Sequence, residues 1–264
     1  MGAAGIELCR AAPEEAAVLV ADEIEALMRH RGRGAGGRPL VLGVATGRTL
    51  LPLWEELGRR CAAGRLSFGR VRAFAVDEYC GLPPGHPGRL RAELERELLA
   101  RTDLPPEQLR FPDVDGDAPL EVRCEEHERA LRRAGGIDLQ LLGVGTNGHV
   151  AFNEPGSQPD SRTRRVHLAP ATREAAVGRF GSLEAVPSAA LTVGLATLRE
   201  ARALRVLAFG SAKAAAVRAA LAEPPGPACP LSLLAGHPDL RLYADGAACP
   251  PEGPLPEGPL REGA

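Results

Sequence analysis

The segment Gly143 to Pro155, reading GVGTNGHVAFNEP, concentrates the residue types that move protons. His149 carries an imidazole, the side chain best suited to exchanging a proton near neutral pH, and Glu154 is a nearby carboxylate able to orient it. The only two asparagines of the chain, Asn147 and Asn153, fall in the same stretch. Glycines on either side of them let backbone amides come close to a bound molecule. The chemistry these types suggest is proton transfer on a small ligand. A run of apolar residues, 137–142 (IDLQLL), precedes the segment and reads as a buried parallel strand. Such strands present ligands at their carboxyl ends, which is where this turn falls.

Three further loops follow predicted strands. Thr46-Gly47-Arg48-Thr49 leads from a strand into a helix, where free N–H groups and the helix dipole favour a phosphate. The Walker pattern GxxxxGK[ST] is absent, which argues against a nucleotide. On this segment alone a plain turn with a capping threonine serves equally well. Asp77-Glu78 stands where a catalytic carboxylate is expected, although paired carboxylates are often only solvated. Lys213 is the single lysine in a chain that otherwise uses arginine. It lies near a helix start, where a cation opposes the dipole unless an anion compensates.

The elements that must position these residues alternate along the chain. Strand signals fall at 6–9, 40–44, 71–76, 137–142, 205–209 and 241–244, and helical spacing at 13–30, 90–100, 119–133 and 212–221. A further helix runs from the Thr46–Thr49 turn through Leu57. This order predicts an α/β protein with an open, mostly parallel Rossmann-like sheet and helices on both faces. Residues 1–248 read as one domain, and 249–264 as a disordered tail rich in Pro and Gly.

Composition excludes several classes. The 264 residues carry a formal net charge of −2 with interleaved signs, so no nucleic-acid footprint is present. No apolar run reaches membrane-spanning length, and the N-terminus lacks a secretory signal pattern. Six scattered cysteines without CxxC spacing suggest reduced thiols in a cytoplasmic protein and no zinc site. The equipment implies an anionic, phosphorylated small molecule as partner, with no cofactor or metal. Self-association into a homo-oligomer stays open.

At this point the sequence resembles the glucosamine-6-phosphate deaminases. Their motifs occur here in order as GVATGRT (43–49), DEYCGL (77–82), GVGTNGHVAFNEP (143–155), SRT (161–163), VPSAALTVGLATL (186–198) and GSAKAAAV (210–217). The resemblance spans roughly residues 6 to 245, and several colinear motifs make it specific. It implies a fold shared with sugar-phosphate isomerases and 6-phosphogluconolactonases. The implied reaction converts an amino-sugar 6-phosphate to a ketose phosphate and ammonia. Carried over residue by residue, His149 shuttles the ring-opening proton, Glu154 orients it, and Asp77 moves the proton from C2 to C1. Asn147 joins this catalytic group. Thr46, Gly47, Arg48, Thr49, Arg179 and Lys213 hold the phosphate, Arg179 being offset by one inserted residue.

Departures qualify the resemblance. Asn147 stands where relatives have Asp or Asn, leaving His149 one carboxylate partner. Arg89-Leu90 replace a Ser-Tyr pair of the family's mobile lid, removing an aromatic contact and adding a charge. Val166 replaces a basic allosteric residue, so activation by an N-acetylated amino-sugar phosphate is not implied. His30, His86, His127, His167 and His237 read as structural or exposed. Two alternatives remain: a 6-phosphogluconolactonase-like hydrolase, disfavoured by AFNEP and by Tyr79, and a non-catalytic sugar-phosphate sensor.

Overall fold

The computed structural model describes residues 5–32, 37–221 and 224–249. Ten strands and seven α-helices occur among them: β1 Glu7–Arg10, α1 Pro13–Gly32, β2 Leu40–Val44, α2 Leu51–Ala62, β3 Val71–Ala75, β4 Asp77–Tyr79, α3 Leu90–Glu97, β5 Leu109–Arg110, α4 Leu120–Arg133, β6 Leu139–Gly143, β7 Arg164–His167, α5 Pro170–Phe180, β8 Ala189–Thr192, α6 Leu195–Arg199, β9 Leu204–Ala208, α7 Ala214–Leu221 and β10 Leu240–Ala244. Seven strands form one parallel sheet in the order β1-β10-β9-β6-β2-β3-β5. Residues of β2 and β9 are buried throughout, as strands covered on both faces must be.

The order of the strands decides where a ligand fits. From β2 the chain steps through β3 to β5 on one side, and from β6 it steps through β9 to β10 on the other. The connections leaving β2 and β6 therefore diverge, and a crevice opens between their carboxyl ends. Right-handed crossovers assign α1, α2 and α3 to one face and α4, α6 and α7 to the other. Packing agrees: α1 contacts α2, α2 contacts α3, and α6 and α7 share the turn at 230–234. The expectation of an open, mostly parallel sheet with helices on both faces holds.

A second sheet has no counterpart in the sequence reading. β4, β8 and β7 pair antiparallel, with Asp77 opposite Thr192 and Arg164 opposite Thr192 on its other side. These strands are three or four residues long, too short for a periodic signal. A small apolar cluster of Tyr79, Leu90, Phe152, Leu168 and Ala190 packs with this sheet, apart from the main core. Boundaries elsewhere shift modestly. The helix read at 90–100 is α3 followed by a 3-10 turn at Leu99–Arg101, and that read at 212–221 begins as a 3-10 turn at Ser211–Lys213. The tail expected from 249 lies outside the described residues from 250 onward. Cys249 itself is buried, with its N–H donating to the Asp245 carbonyl at 2.9 Å.

Gly194, between β8 and α6, marks a close approach of two backbone segments. A Cβ there would lie 2.2 Å from the Ser161 carbonyl oxygen. The backbone contact seats the SRT loop against the end of the small sheet. Gly194→Ala is expected to destabilise the protein by roughly 1–3 kcal/mol through overpacking, read as a lower midpoint in denaturant unfolding.

Candidate active site

The turn after β6 is built around its histidine. Gly145 N–H donates to the His149 carbonyl at 2.9 Å, and the imidazole folds over the Gly145 backbone. A Cβ at 145 would fall 2.2 Å from the ring, so only glycine admits this placement. The next bend carries Ala151 at φ 49°, the one non-glycine with positive φ among the described residues. Such strain persists where surrounding bonds over-determine it. Asn153 supplies them: wholly buried, it donates to the Val150 and Val193 carbonyls at 3.0 and 2.8 Å and accepts from Arg164 at 2.9 Å.

Asn147 is the inner partner of His149. Its Oδ1 accepts the His149 backbone N–H at 3.1 Å, and its Nδ2 donates to Glu154 at 2.8 Å, which fixes the orientation of the amide. That Oδ1 lies 2.8 Å from His149 Nδ1, so Nδ1 carries the hydrogen and Nε2 is left as the proton acceptor. Glu154 is 3.5 Å from Nδ1, behind the amide. Glu154 is thus the carboxylate beside the histidine, and Asn147, bonded to both, joins the two, with Thr172 Oγ1 adding a weaker contact at 3.4 Å. Burial alone would raise the Glu154 carboxyl, but hydrogen bonds from His149, Thr172 and Asn147 bring it down to about 2. Glu154 therefore stays ionised.

Asp77 and Glu78 are adjacent, yet their settings are opposite. Glu78 accepts N–H bonds from Tyr79, Leu90 and Arg91 at 2.8–3.0 Å, capping the start of α3. Asp77 is 6 % exposed and has no hydrogen-bond partner for its carboxyl among the described residues. Desolvation, with the charges of Glu78 and Glu93, pushes it up to about 8 against the opposing pull of Arg179. Asp77 is thus a buried acid without donors, whereas both oxygens of its neighbour are engaged by backbone N–H groups.

Thr192 joins the two halves. It pairs with Asp77 across the small sheet, and its hydroxyl accepts the Phe152 N–H at 3.1 Å. The carboxyl on β4 and the histidine turn after β6 are thus tied to one wholly buried residue.

Two matching turns flank this centre. β2 is followed by Thr46 and Gly47 (φ 112°, ψ 152°), then by a 3-10 turn, Arg48–Leu50, and α2. β9 is followed after Phe209 by Gly210 (φ 85°, ψ 154°), then by Ser211–Lys213 and α7. Because β2 and β9 are the two neighbours of β6, both helix starts stand beside the histidine turn. Leading amides such as those of Arg48 and Thr49 have no intrahelical acceptor. Burial lowers the Lys213 ammonium, and the positive charge of Arg48 lowers it further. Neither cation has an ion-pair partner among the described residues, an arrangement that calls for an anion between them. Thr49 lies close to Gly143, where the histidine turn begins.

The insertion before Arg179 does not remove it from this region. Its guanidinium pairs with Glu93, whose other oxygen accepts the Gly47 N–H at 2.6 Å. Of the ten residues singled out from the sequence, Asp77, Asn147, His149, Glu154, Thr46, Gly47, Arg48, Thr49 and Lys213 fall on strand ends or on the turns that follow strands, and Arg179 reaches the same region from the last turn of α5. The reading missed Glu93, Thr172 and Thr192. Thr192 sat within the quoted ALTVG motif, whereas nothing local marked Glu93. The altered lid is also clarified. Arg89 is buried and paired with Asp115, and Leu90 joins the small apolar cluster. His86 stacks on Phe180, whose ring also meets Tyr79 edge-on at 5.4 Å, so aromatic contact in this loop comes from other residues.

An open α/β sheet with acid–base groups gathered at its strand-order reversal is the build of an enzyme acting on a small molecule. Residues 10–242 match the family described as glucosamine-6-phosphate isomerases/6-phosphogluconolactonase. A glucosamine-6-phosphate deaminase of Arthrobacter sp. is 43% identical over 230 residues, covering 87% of this chain and 86% of the relative. One from Mycolicibacterium smegmatis is 42% identical over 231 residues, covering 87% and 86%. A solved monomeric glucosamine-6-phosphate deaminase superposes with a TM-score of 0.85 at 32% identity, covering 92% of this chain and 98% of that one. The 6-phosphogluconolactonase of Leishmania guyanensis shares the fold, with a TM-score of 0.70 at 21% identity over 92% and 97%. The chain belongs to the glucosamine-6-phosphate isomerase/6-phosphogluconolactonase family.

The raised Asp77 carboxyl has a signature in stability. The folded state holds its proton up to about pH 8, while an unfolded carboxyl releases it near pH 4. Its contribution is therefore fully present below about pH 4 and is lost progressively as pH rises to 8. Asp77→Asn is expected to gain stability over the wild type as pH increases across that window, with the two converging at the acid end. Denaturation midpoints taken at several pH values check this, and parallel pH curves would refute it.

Proposed function

We propose that the protein catalyses isomerising deamination of an amino-sugar 6-phosphate, with glucosamine 6-phosphate and water giving fructose 6-phosphate and ammonia. The observation that carries this reading is the pair of acid–base groups set differently in one crevice. His149 has a defined free Nε2, and Asp77 is a buried carboxyl with no donor to hold its charge. Moving a proton between oxygen atoms needs the first, and moving one between adjacent carbons needs the second.

The steps follow from that division. His149 Nε2 takes the proton of the C1 hydroxyl and delivers it to the ring oxygen, giving the open aldehyde. Ionised Asp77 removes the C2 hydrogen, the electron pair forms the C1–C2 double bond, and the substrate's own ammonium gives a proton to the C1 oxygen, leaving an enolamine with a C1 hydroxyl. The proton returns to C1, leaving a ketimine at C2. Water adds there, and ammonia departs as the ketone forms. Thr46, Gly47, Arg48, Thr49, Arg179 and Lys213 hold the phosphate, and the Asn147–Glu154 relay keeps the imidazole in its tautomer. Residues 1–248 act as one unit, in the cytoplasm.

Tyr79 separates this reading from lactone hydrolysis. Where the lactonase branch carries arginine, Tyr79 is buried against Phe152 and Phe180, an apolar nest unsuited to a guanidinium. Purified protein is expected to release ammonia from glucosamine 6-phosphate and not to open 6-phosphogluconolactone. Asp77→Asn should lower turnover by roughly 10²–10⁴-fold, the range typical of a general acid–base group, while changing phosphate affinity little. Retention of more than about a tenth of wild-type turnover, well outside that range, would overturn the assignment.

Lys213 supplies an independent check. Loss of a charge-assisted hydrogen bond costs roughly 1.5–3 kcal/mol, so Lys213→Ala should raise KM about ten- to a hundredfold. Lys213→Arg should restore binding only in part, because a planar guanidinium fork cannot take the place of a compact ammonium. An unchanged KM in Lys213→Ala would remove this residue from the phosphate.

A further inference from the structure

Glu93 lies in the first turns of α3, 8 % exposed, between two groups assigned above to the phosphate. One oxygen accepts the Gly47 N–H at 2.6 Å, and the other pairs with Arg179. A carboxylate bridging a glycine amide at a helix start and a guanidinium has the donor set that a phosphate oxygen would use. Among the described residues, Arg48, Lys213 and Arg179 are the cations placed at this corner above, and Glu93 pairs with the last. A substrate dianion arriving here meets a like charge already seated on its donors.

We propose that Glu93 is a built-in anion that holds the Gly47 amide and Arg179 in the empty site and yields them to the substrate phosphate, so that this carboxylate sets the affinity for phosphorylated ligands. The proposal rests on the phosphate placement given under the proposed function. Preorganisation and competition come from the same bond: Glu93 keeps Arg179 turned inward, and binding must exchange one anion for another. The same side chain reaches the acid–base centre. Asp77 faces Glu78 on its own strand, Glu93 from α3, Arg179 from α5 and the neighbouring Tyr79, and the Glu93 charge is one of those that make it harder to ionise. Glu93 is thus an affinity-determining residue that also biases the base, without touching the reacting carbons.

Glu93→Gln, which keeps an acceptor for Gly47 but removes the charge, is the direct test. Both the KM for glucosamine 6-phosphate and the Kd for inorganic phosphate, measured by calorimetry, are expected to fall about tenfold, the scale of one charge-assisted bond no longer in competition. The acidic limb of the kcat/KM profile should move to lower pH, because Asp77 loses a neighbouring negative charge. Glu93→Ala should move phosphate affinity in the same direction. Weaker or unchanged phosphate binding in both variants would mean that Glu93 only positions Arg179, and the proposal would fall. Wild-type phosphate affinity that is insensitive to Lys213→Ala would instead place the phosphate elsewhere, removing the premise and the proposal together.

Discussion

The reversal of strand order between β2 and β6 is the constraint on which the site depends. Parallel strands leave their amides and carbonyls to their neighbours, so their carboxyl ends are joined only by the loops that follow. Where those loops depart in opposite directions, a gap opens that no helix fills. Here the gap receives the histidine turn from β6 and is flanked by two glycine turns from β2 and β9. Both glycines adopt conformations that a Cβ would strain, and both lead through a 3-10 turn into a helix. The chain uses one local device twice, on either side of the strand that carries the acid–base residues.

Three carboxylates near this gap show how donor count sets chemical role. Glu78 receives three backbone N–H groups and serves as a helix cap. Glu154 receives side-chain donors and is held well below the usual carboxylate range. Asp77 receives none, and its proton affinity rises. Asp77 and Glu78 are both buried and Glu154 is partly so, and burial alone does not separate the first two. The decisive quantity is the number of hydrogen-bond donors aimed at each carboxylate, which no count of acids in the sequence contains.

The small antiparallel sheet makes these settings act together. Thr192 joins the carboxyl-bearing strand β4 to the turn after β6, beside the bond from Asn153 to the Val193 carbonyl and the Tyr79–Phe152 contact. Thr192 pairs with one and bonds the other, while Val193 N–H donates to the Val76 carbonyl at 2.7 Å. Tyr79, Phe152 and Phe180 then close the apolar side of this unit. Acid–base groups held on strand ends and pinned turns keep their geometry better than groups on free loops, as proton transfer between neighbouring carbons requires.

Much of this was legible in the sequence, for reasons that differ by residue. The buried strands at 40–44 and 137–142 announce themselves as apolar runs, and their alternation with amphipathic helices fixes the class of fold. The histidine turn stands out because Gly, Asn, His and Glu rarely crowd together without a use for backbone access and proton transfer, and Lys213 because it is solitary. The strands at 164–167 and 189–192 did not stand out, since four residues carry no readable period and their pairing is decided by partners far along the chain. Glu93 was equally silent: on α3 it is one acid among several, and only the fold brings Gly47 and Arg179 to its two oxygens. Asn147 was visible as a residue but not as the link between His149 and Glu154, because a hydrogen-bond order is a matter of distance. Residue type and local spacing could name the chemistry, while the identity of each group's neighbours, and hence its charge state, was decided by the tertiary structure.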